Sequence, residues 1–315
     1  MYILGFDIGG TKCAVITAIC DGEKITFLKK DISPTDHEIS AGDMIDKLIE
    51  MADRILERKP DAIGISCGGP LDSERGVIMS PPNLPNWDNV EIVKQIEAHY
   101  GAPARLQNDA NACALAEWRF GAGSGCKNMI FLTFGTGLGA GLILNGRLYE
   151  GGNGNAGEVG HIRLANVGPT GYGKEGSFEG FCSGGGIAQL GYLKAIESVE
   201  NGIYPLYFKK GMLKKDITAK SIADAAAKGD PTACEVYRLS GEYLGKGLSV
   251  LIDILNPEKI VIGSIFARSR EFFIEAMQKE IEKEALPISA SCCQIVAANL
   301  GESLGDYAAI ATALT

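Results

Sequence analysis

The chain has 315 residues, of which 46% are hydrophobic and 22% charged, and its formal net charge is −9. That length is about twice a common domain, so two domains with substantial cores are expected. The acidic balance argues against a nucleic-acid surface, which needs clustered Lys and Arg, yet permits a small anion held by a few local donors.

No apolar run approaches the roughly 20 residues that span a bilayer, so no membrane association is expected. Met-Tyr-Ile-Leu-Gly-Phe-Asp at the N-terminus has no basic region followed by an apolar stretch and cleavage site, and does not read as a signal peptide. The nine cysteines are odd in number and scattered, with no C-x-x-C pair, which points to a reduced, cytoplasmic compartment.

Strand-like and helix-like segments alternate, as in an α/β protein. Residues 2–6 and 13–19 read as strands flanking a Gly-Gly turn. Ile45, Leu48, Ile49, Ala52, Ile55 and Leu56 mark one face of an amphipathic helix over 40–58. A short buried strand follows at 62–66, then a helix over 89–99 with Asp88 as its N-cap and Gly101 as its stop. A strand at 104–107 leads into a helix at 110–120. Strands at 129–134 and 139–144 come next, the second closing in the hairpin signal Asn145-Gly146. Residues 151–186 are rich in Gly without periodicity, which reads as a long functional loop region. Helices at 186–198, 218–228 and 232–255, strand 259–262, helix 269–284, strand 293–297 and helix 303–313 complete the chain. The domain boundary is expected near 116–124, in the Gly-rich Phe120–Gly125.

Four motifs carry chemistry. Asp7-Ile-Gly-Gly-Thr-Lys12 follows a strand, where glycines let backbone N–H groups approach phosphate oxygens. A Walker A loop would need Lys where Thr11 stands, and a helix where a second strand follows, so the motif reads as a phosphate-clasping hairpin. Gly135-Thr-Gly-Leu-Gly-Ala-Gly141 begins like a dinucleotide fingerprint, but that reading needs a helix, and Leu142–Leu144 runs instead into a turn. A second phosphate hairpin remains. Asn108-Asp-Ala-Asn-Ala112 stands where a strand ends and a helix starts; the helix N-terminus favours an ionised Asp109 able to accept a proton, although an N-cap role fits as well. Glu158 and His161 lie in a glycine-rich stretch that suits a polyol ligand, an exposed loop or a metal ligand.

In this order the segments resemble the ROK family of sugar kinases and sugar-responsive repressors. Ser66-Cys-Gly-Gly-Pro70, Asn83-Leu-Pro-Asn-Trp87, Glu179 before Ser183-Gly184, and Leu300-Gly-Glu-Ser-Leu-Gly305 join the set. The resemblance implies a two-domain actin-like ATPase (ribonuclease H-like) α/β fold with a cleft between domains. Its N-terminal domain would comprise residues 1–118 plus 298–315, and its C-terminal domain residues 119–297. It also implies ATP-dependent phosphorylation of a hexose or N-acylhexosamine, glucokinase-like and at O6, with N-acetylmannosamine as the alternative acceptor. Asp109 matches the catalytic base. Gly69, Asn83, Asn108, Glu158, His161 and Glu179 match sugar-binding positions. Gly9, Gly10, Thr11, Lys12, Gly135, Thr136 and Gly137 match phosphate contacts, Asp7 the surroundings of Mg²⁺, and Gly263 the adenosine turn. The implied ligands are ATP, Mg²⁺ and a sugar, the implied assembly a homodimer.

Two departures from the family pattern stand out. The three cysteines that bind structural zinc with a His are replaced by Thr170, Tyr172 and Ser177, so no zinc is expected. The family's Gly-Gly turn near adenosine reads Gly263-Ser-Ile265. The rival class is a non-catalytic sugar-sensing regulator; its helix-turn-helix would precede the Asp-x-Gly-Gly-Thr motif, which here begins at residue 7.

Overall fold

The computed structural model describes residues 1–22 and 24–315, which form two compact units. Unit 1 comprises Met1–Lys127, Gly141–Ala156 and Asn299–Thr315; unit 2 comprises Asn128–Ala140 and Gly157–Ala298.

Unit 1 opens with strands β1 (Tyr2–Ile8), β2 (Lys12–Asp21) and β3 (Lys24–Pro34). Helix α1 (Ala41–Ile55), strand β4 (Ala62–Cys67), the short ribbon β5 (Leu71–Asp72) and β6 (Val77–Ile78), and helix α2 (Ile92–Tyr100) follow. Strand β7 (Ala104–Asn108) runs directly into helix α3 (Asp109–Phe120). The sheet order is β3-β2-β1-β4-β7, antiparallel across the first three strands and parallel from β1 to β7.

Alternation along β1 supplies both faces of this sheet. Leu4, Phe6 and Ile8 pack with Met44, Leu48 and Met51 of α1 and with Ile92 and Ile96 of α2. Ile3 faces the other way, into a cluster with Ile16, Ala309 and Ile310. Ala309 and Ile310 belong to the last helix, which returns to this unit. Gly5 and Gly64 are register partners on that face, and a Cβ on Gly64 would fall 2.0 Å from the Ala309 carbonyl oxygen. The paired glycines therefore form a trough that lets the helix lie directly on the strands.

The second sheet begins with β8 (Met129–Phe134) and β9 (Leu138–Leu144), and β9 continues through Asn145-Gly146 to β10 (Arg147–Leu148). Residues 141–156 fall in unit 1, because Gly141 packs on α3: a Cβ there would meet Ala114 Cβ at 2.4 Å. The domain division expected from sequence had placed this stretch in the second domain.

Unit 2 continues with a tight hairpin of β11 (Thr170–Gly171) and β12 (Lys174–Glu175), then helices α4 (Phe178–Phe181), α5 (Gly184–Glu200), α6 (Ala219–Ala226) and α7 (Pro231–Leu255). Strand β13 (Lys259–Ile262), helix α8 (Ser264–Glu284), helix α9 (Pro287–Cys292) and strand β14 (Gln294–Ala297) close it. Helix α10 (Leu304–Thr312) is the one that returns to unit 1. β13 is paired in parallel with both β8 and β14. Helices α7 and α8 approach closely, since a Cβ at Gly245 would stand 2.6 Å from the Met277 carbonyl oxygen.

Two sequence expectations need correction. The helix expected over 89–99 starts at Ile92, and Asp88 does not cap it; its carboxylate accepts from Ser80 Oγ instead. Strand β3 was not anticipated. It is an edge strand whose Lys24, Lys29 and Lys30 are all exposed, on both sides of the sheet, a composition that discourages pairing with another chain and masks the alternation. No helix among the described residues is long and apolar enough to cross a membrane.

Candidate active site

In unit 1, β1 and β2 meet in the turn Gly9-Gly10-Thr11, closed by a bond of 3.1 Å from the Gly9 N–H to the Lys12 carbonyl. Thr35 braces the turn: its hydroxyl donates to the Gly9 carbonyl at 2.5 Å and its N–H donates to the Thr11 carbonyl at 3.0 Å. Asn83 packs over Gly10, where a Cβ would come within 2.7 Å of its Cβ and carbonyl oxygen. Thr11 and Lys12 are exposed. The turn thus presents backbone and an ammonium group with no side-chain bulk at Gly9 and Gly10.

Asp7 lies one residue before the end of β1. Its carboxyl is pushed up from the usual range to about 6, first by burial and then by the negative charge of Asp306; Asp109 acts the same way, while Lys30 and Lys12 oppose them. Lys30 Nζ stands 2.6 Å from Asp306. Gly305 approaches so closely that a Cβ would lie 2.6 Å from Asp7 Oδ2. A half-buried carboxylate among other carboxylates is a costly arrangement that a cation relieves. Mg²⁺ takes oxygen ligands, commonly one or two carboxylates with water and phosphate oxygens, so Asp7 and its surroundings fit it.

Asn108 and Asp109 sit where β7 turns into α3. Asn108 is the N-cap, with extended backbone, and its Oδ1 accepts from the Ala110 N–H at 2.9 Å. Asp109 is therefore the first helical residue and not the cap. It is exposed, and its Oδ1 also accepts from Ala110 N, at 2.8 Å. The helix N-terminus stabilises its negative charge. Gly69 lies against Asn108, where a Cβ would be 2.9 Å from Asn108 Nδ2. Unit 1 thus assembles Asp7, the Gly9–Lys12 turn, Gly69, Asn83, Asn108 and Asp109 at the C-terminal ends of β1, β4 and β7.

Unit 2 holds the remaining candidates. The β8–β9 turn is closed by the Gly135 N–H donating to the Gly137 carbonyl at 3.1 Å. Glu179, in the first turn of α4, accepts from the Leu138 N–H at 3.0 Å, and a Cβ at Gly137 would lie 2.7 Å from its Oε2. The structure therefore ties Glu179 to the second glycine hairpin. The N-terminus of α5 is beside the same hairpin: Gly184 N–H donates to the Gly135 carbonyl at 2.8 Å. Glu158 and His161 are exposed on a single helical turn, held where the Ala140 N–H donates to the Gly157 carbonyl at 2.9 Å.

Where the zinc cysteines would stand, hydrogen bonds close the structure. Tyr172 and Gly173 form the β11–β12 turn with φ of 42° and 75°, Ser177 Oγ accepts from the Gly180 N–H at 3.1 Å, and Lys174 Nζ donates to the His161 carbonyl at 2.7 Å. Among the described residues no cluster of three or more His, Cys, Asp or Glu is arranged to hold a metal. Gly263 lies between β13 and α8, its N–H donating to the Leu132 carbonyl at 2.9 Å, and Ser264 takes a left-handed φ of 50°.

Sequence reasoning gave no role to Lys30, Gly305 and Asp306. Its one signal for the last two was the Leu300–Gly305 motif, which places the start of α10 but not its neighbour.

The sequence profile of the ROK family matches residues 3–315. A glucokinase of Halalkalibacterium halodurans is 33% identical over 96% of this chain and 92% of its own. The crystal structure of a ROK family glucokinase from Streptomyces griseus, in complex with glucose and AMPPNP, superposes with a TM-score of 0.78 at 30% identity, covering 100% of this chain and 99% of that one. The N-acetylglucosamine repressor of Shigella flexneri is 30% identical over 80% of this chain but 61% of its own.

Proposed function

The chain belongs to the ROK family, and on that footing we propose that it is an ATP-dependent sugar kinase in which Asp109 is the base for the attacking hydroxyl. The observation that carries this is the β7–α3 junction. An exposed carboxylate stands on the first turn of a helix, where the N-terminal dipole favours negative charge, beside a residue already fixed as cap. That carboxylate can accept the proton of a sugar hydroxyl as the hydroxyl oxygen attacks the γ-phosphorus and ADP leaves. Phosphoryl transfer asks chiefly for positioning and charge stabilisation, which the other residues supply. Backbone N–H groups of Gly10, Thr11, Thr136 and Gly137 in the two glycine turns, with Lys12, bind phosphate oxygens; Asn108, Asn83, Glu158, His161 and Glu179 bind sugar hydroxyls; the Gly263 turn contacts adenosine. Mg²⁺, when bound, neutralises phosphate charge, and Asp7 is the residue that would hold it through its surrounding oxygens.

Glucose is the acceptor that the glucokinase relatives favour, with N-acetylmannosamine as the alternative. A homodimer is the assembly we infer, supported by the exposed Leu193, Ile203, Tyr204 and Leu206 on unit 2. Nine free thiols accord with a cytoplasmic setting. The test is ADP release with hexoses, hexosamines, N-acylhexosamines and β-glucosides, run with wild type, Asp109→Asn and Asp109→Ala. Turnover should fall by about 10²–10⁴ in both variants while sugar binding, read by calorimetry, falls far less. Near-normal turnover in either variant removes Asp109 from the role.

A further inference from the structure

The strand-to-helix junction that presents Asn108 and Asp109 is fastened from beneath by Gln107, which is 6% exposed. Its Oε1 accepts from the Asn108 N–H at 2.9 Å and from Asn111 Nδ2 at 3.1 Å, while its Nε2 donates to Glu150 Oε1 at 3.0 Å. Glu150 Oε1 also accepts from Ser73 Oγ at 2.6 Å. A carboxylate has no proton to give, so Glu150 decides which way the Gln107 amide faces. Only with the NH₂ toward Glu150 is Oε1 left for the two donors at the junction. Asn111 is held in turn with its NH₂ toward Gln107, although this leaves its buried Oδ1 with no protein partner.

Glu150 has a second attachment. Its carbonyl accepts from the Ala156 N–H at 3.0 Å, closing the Gly-rich loop from which the chain runs on to Glu158. One residue therefore anchors both the loop and the amide beneath the catalytic junction.

We propose that Gln107 and Glu150 are a positioning pair for the phosphoryl-transfer base, fixing the orientation of Asn108 and Asp109 and tying it to the 150–156 loop. This rests on the kinase reading above. Neither side chain touches substrate; they act through the backbone of Asn108 and the first turn of α3. Small displacements of a reacting group are expensive in rate, with about 1 Å able to cost 10²-fold.

The pair can be reversed, which gives the test. Q107E alone sets two carboxylates against each other and should lower kcat by about tenfold or more, through misplacement of the base, with KM for MgATP little changed. E150Q alone keeps an oxygen that can accept at the same place but no longer compels it to face Gln107, so the amide loses its fixed orientation and kcat should fall as well. The double variant Q107E/E150Q restores every bond with donor and acceptor exchanged. The carboxylate at 107 accepts from Asn108, Asn111 and the new amide, whose NH₂ stands where Glu150 Oε1 stood and also donates to Ser73 Oγ, a hydroxyl that can accept as well as give. Its kcat should recover to within about threefold of wild type. Thermal unfolding and active-site titration by tight nucleotide binding correct each rate for folded protein, so a purely structural loss disappears from kcat.

A Q107E enzyme within about twofold of wild type, or a double variant no faster than the slower single, overturns the pair. Should Q107E alone fail to fold, the comparison is E150Q against the double, and recovery or its absence decides in the same way. Wild-type protein inactive on the whole sugar panel would instead refute the kinase reading itself.

Discussion

Glu117, near the end of α3, is 0% exposed, and its carboxylate serves three backbone donors. Oε1 accepts from the N–H groups of Asn299 and Leu300 at 2.9 Å each, and Oε2 accepts from that of Ala122 at 2.7 Å. The carboxylate thus joins the end of α3 to the turn that follows it and to the segment entering α10, which carries Asp306 to the neighbourhood of Asp7. Glu117→Gln keeps the shape but replaces one acceptor by a donor. The least costly orientation turns the NH₂ toward Ala122, leaving one buried N–H against another donor, a penalty of about 1–3 kcal/mol. The two bonds to Asn299 and Leu300 lose their charge assistance, about 1 kcal/mol each. The total is about 3–5 kcal/mol, which corresponds to a fall in Tm of about 5–8 °C for a protein of this size. Calorimetric unfolding of ligand-free protein measures it, and the affinity for MgATP should weaken as the start of α10 loosens. A Tm within about 2 °C of wild type would refute the reasoning, since it would mean that water satisfies these donors as well as the carboxylate does.

Gly10→Val and Gly137→Val should each weaken MgATP binding, because their side chains would collide with Asn83 and with Glu179; unchanged affinity in both would remove the glycine turns from the nucleotide site. Ser264→Gly should raise stability by up to about 1 kcal/mol, as glycine adopts the left-handed backbone of that position at little cost; denaturant titration reads the sign, and a loss would show that the hydroxyl contributes more than the strain takes away. Purified protein should contain no stoichiometric zinc, and chelators should leave its unfolding midpoint unchanged. Elemental analysis finding one zinc per chain bound through His161 would contradict this.

The two glycine hairpins were legible because backbone chemistry is local. A Gly-Gly or Gly-x-Gly turn between two apolar strands excludes both nucleotide motifs that require a helix, and the strands Tyr2–Ile8 with Lys12–Asp21 and Met129–Phe134 with Leu138–Leu144 are as that context demands. The strand-to-helix placement of Asp109 was legible for the same reason. The sequence left open whether Asp109 is a base or the helix cap, and the structure gives the cap to Asn108. Strand β3 carries no clear alternation because seven of its eleven residues are exposed at a sheet edge, where composition answers to water and not to a core. What only the tertiary structure decided are the partnerships across distance. Lys30 meets Asp306 across 276 positions, and Asp306 in turn raises the Asp7 carboxyl. Gln107 finds Glu150 across 43 positions, and Glu179 reaches the Leu138 N–H across 41. Periodicity within a segment reports which face is buried, but a single sequence holds no record of which buried face is folded against which. That choice is made by packing: paired glycines at Gly5 and Gly64 admit α10 to the sheet, and with it comes the carboxylate that completes the surroundings of Asp7.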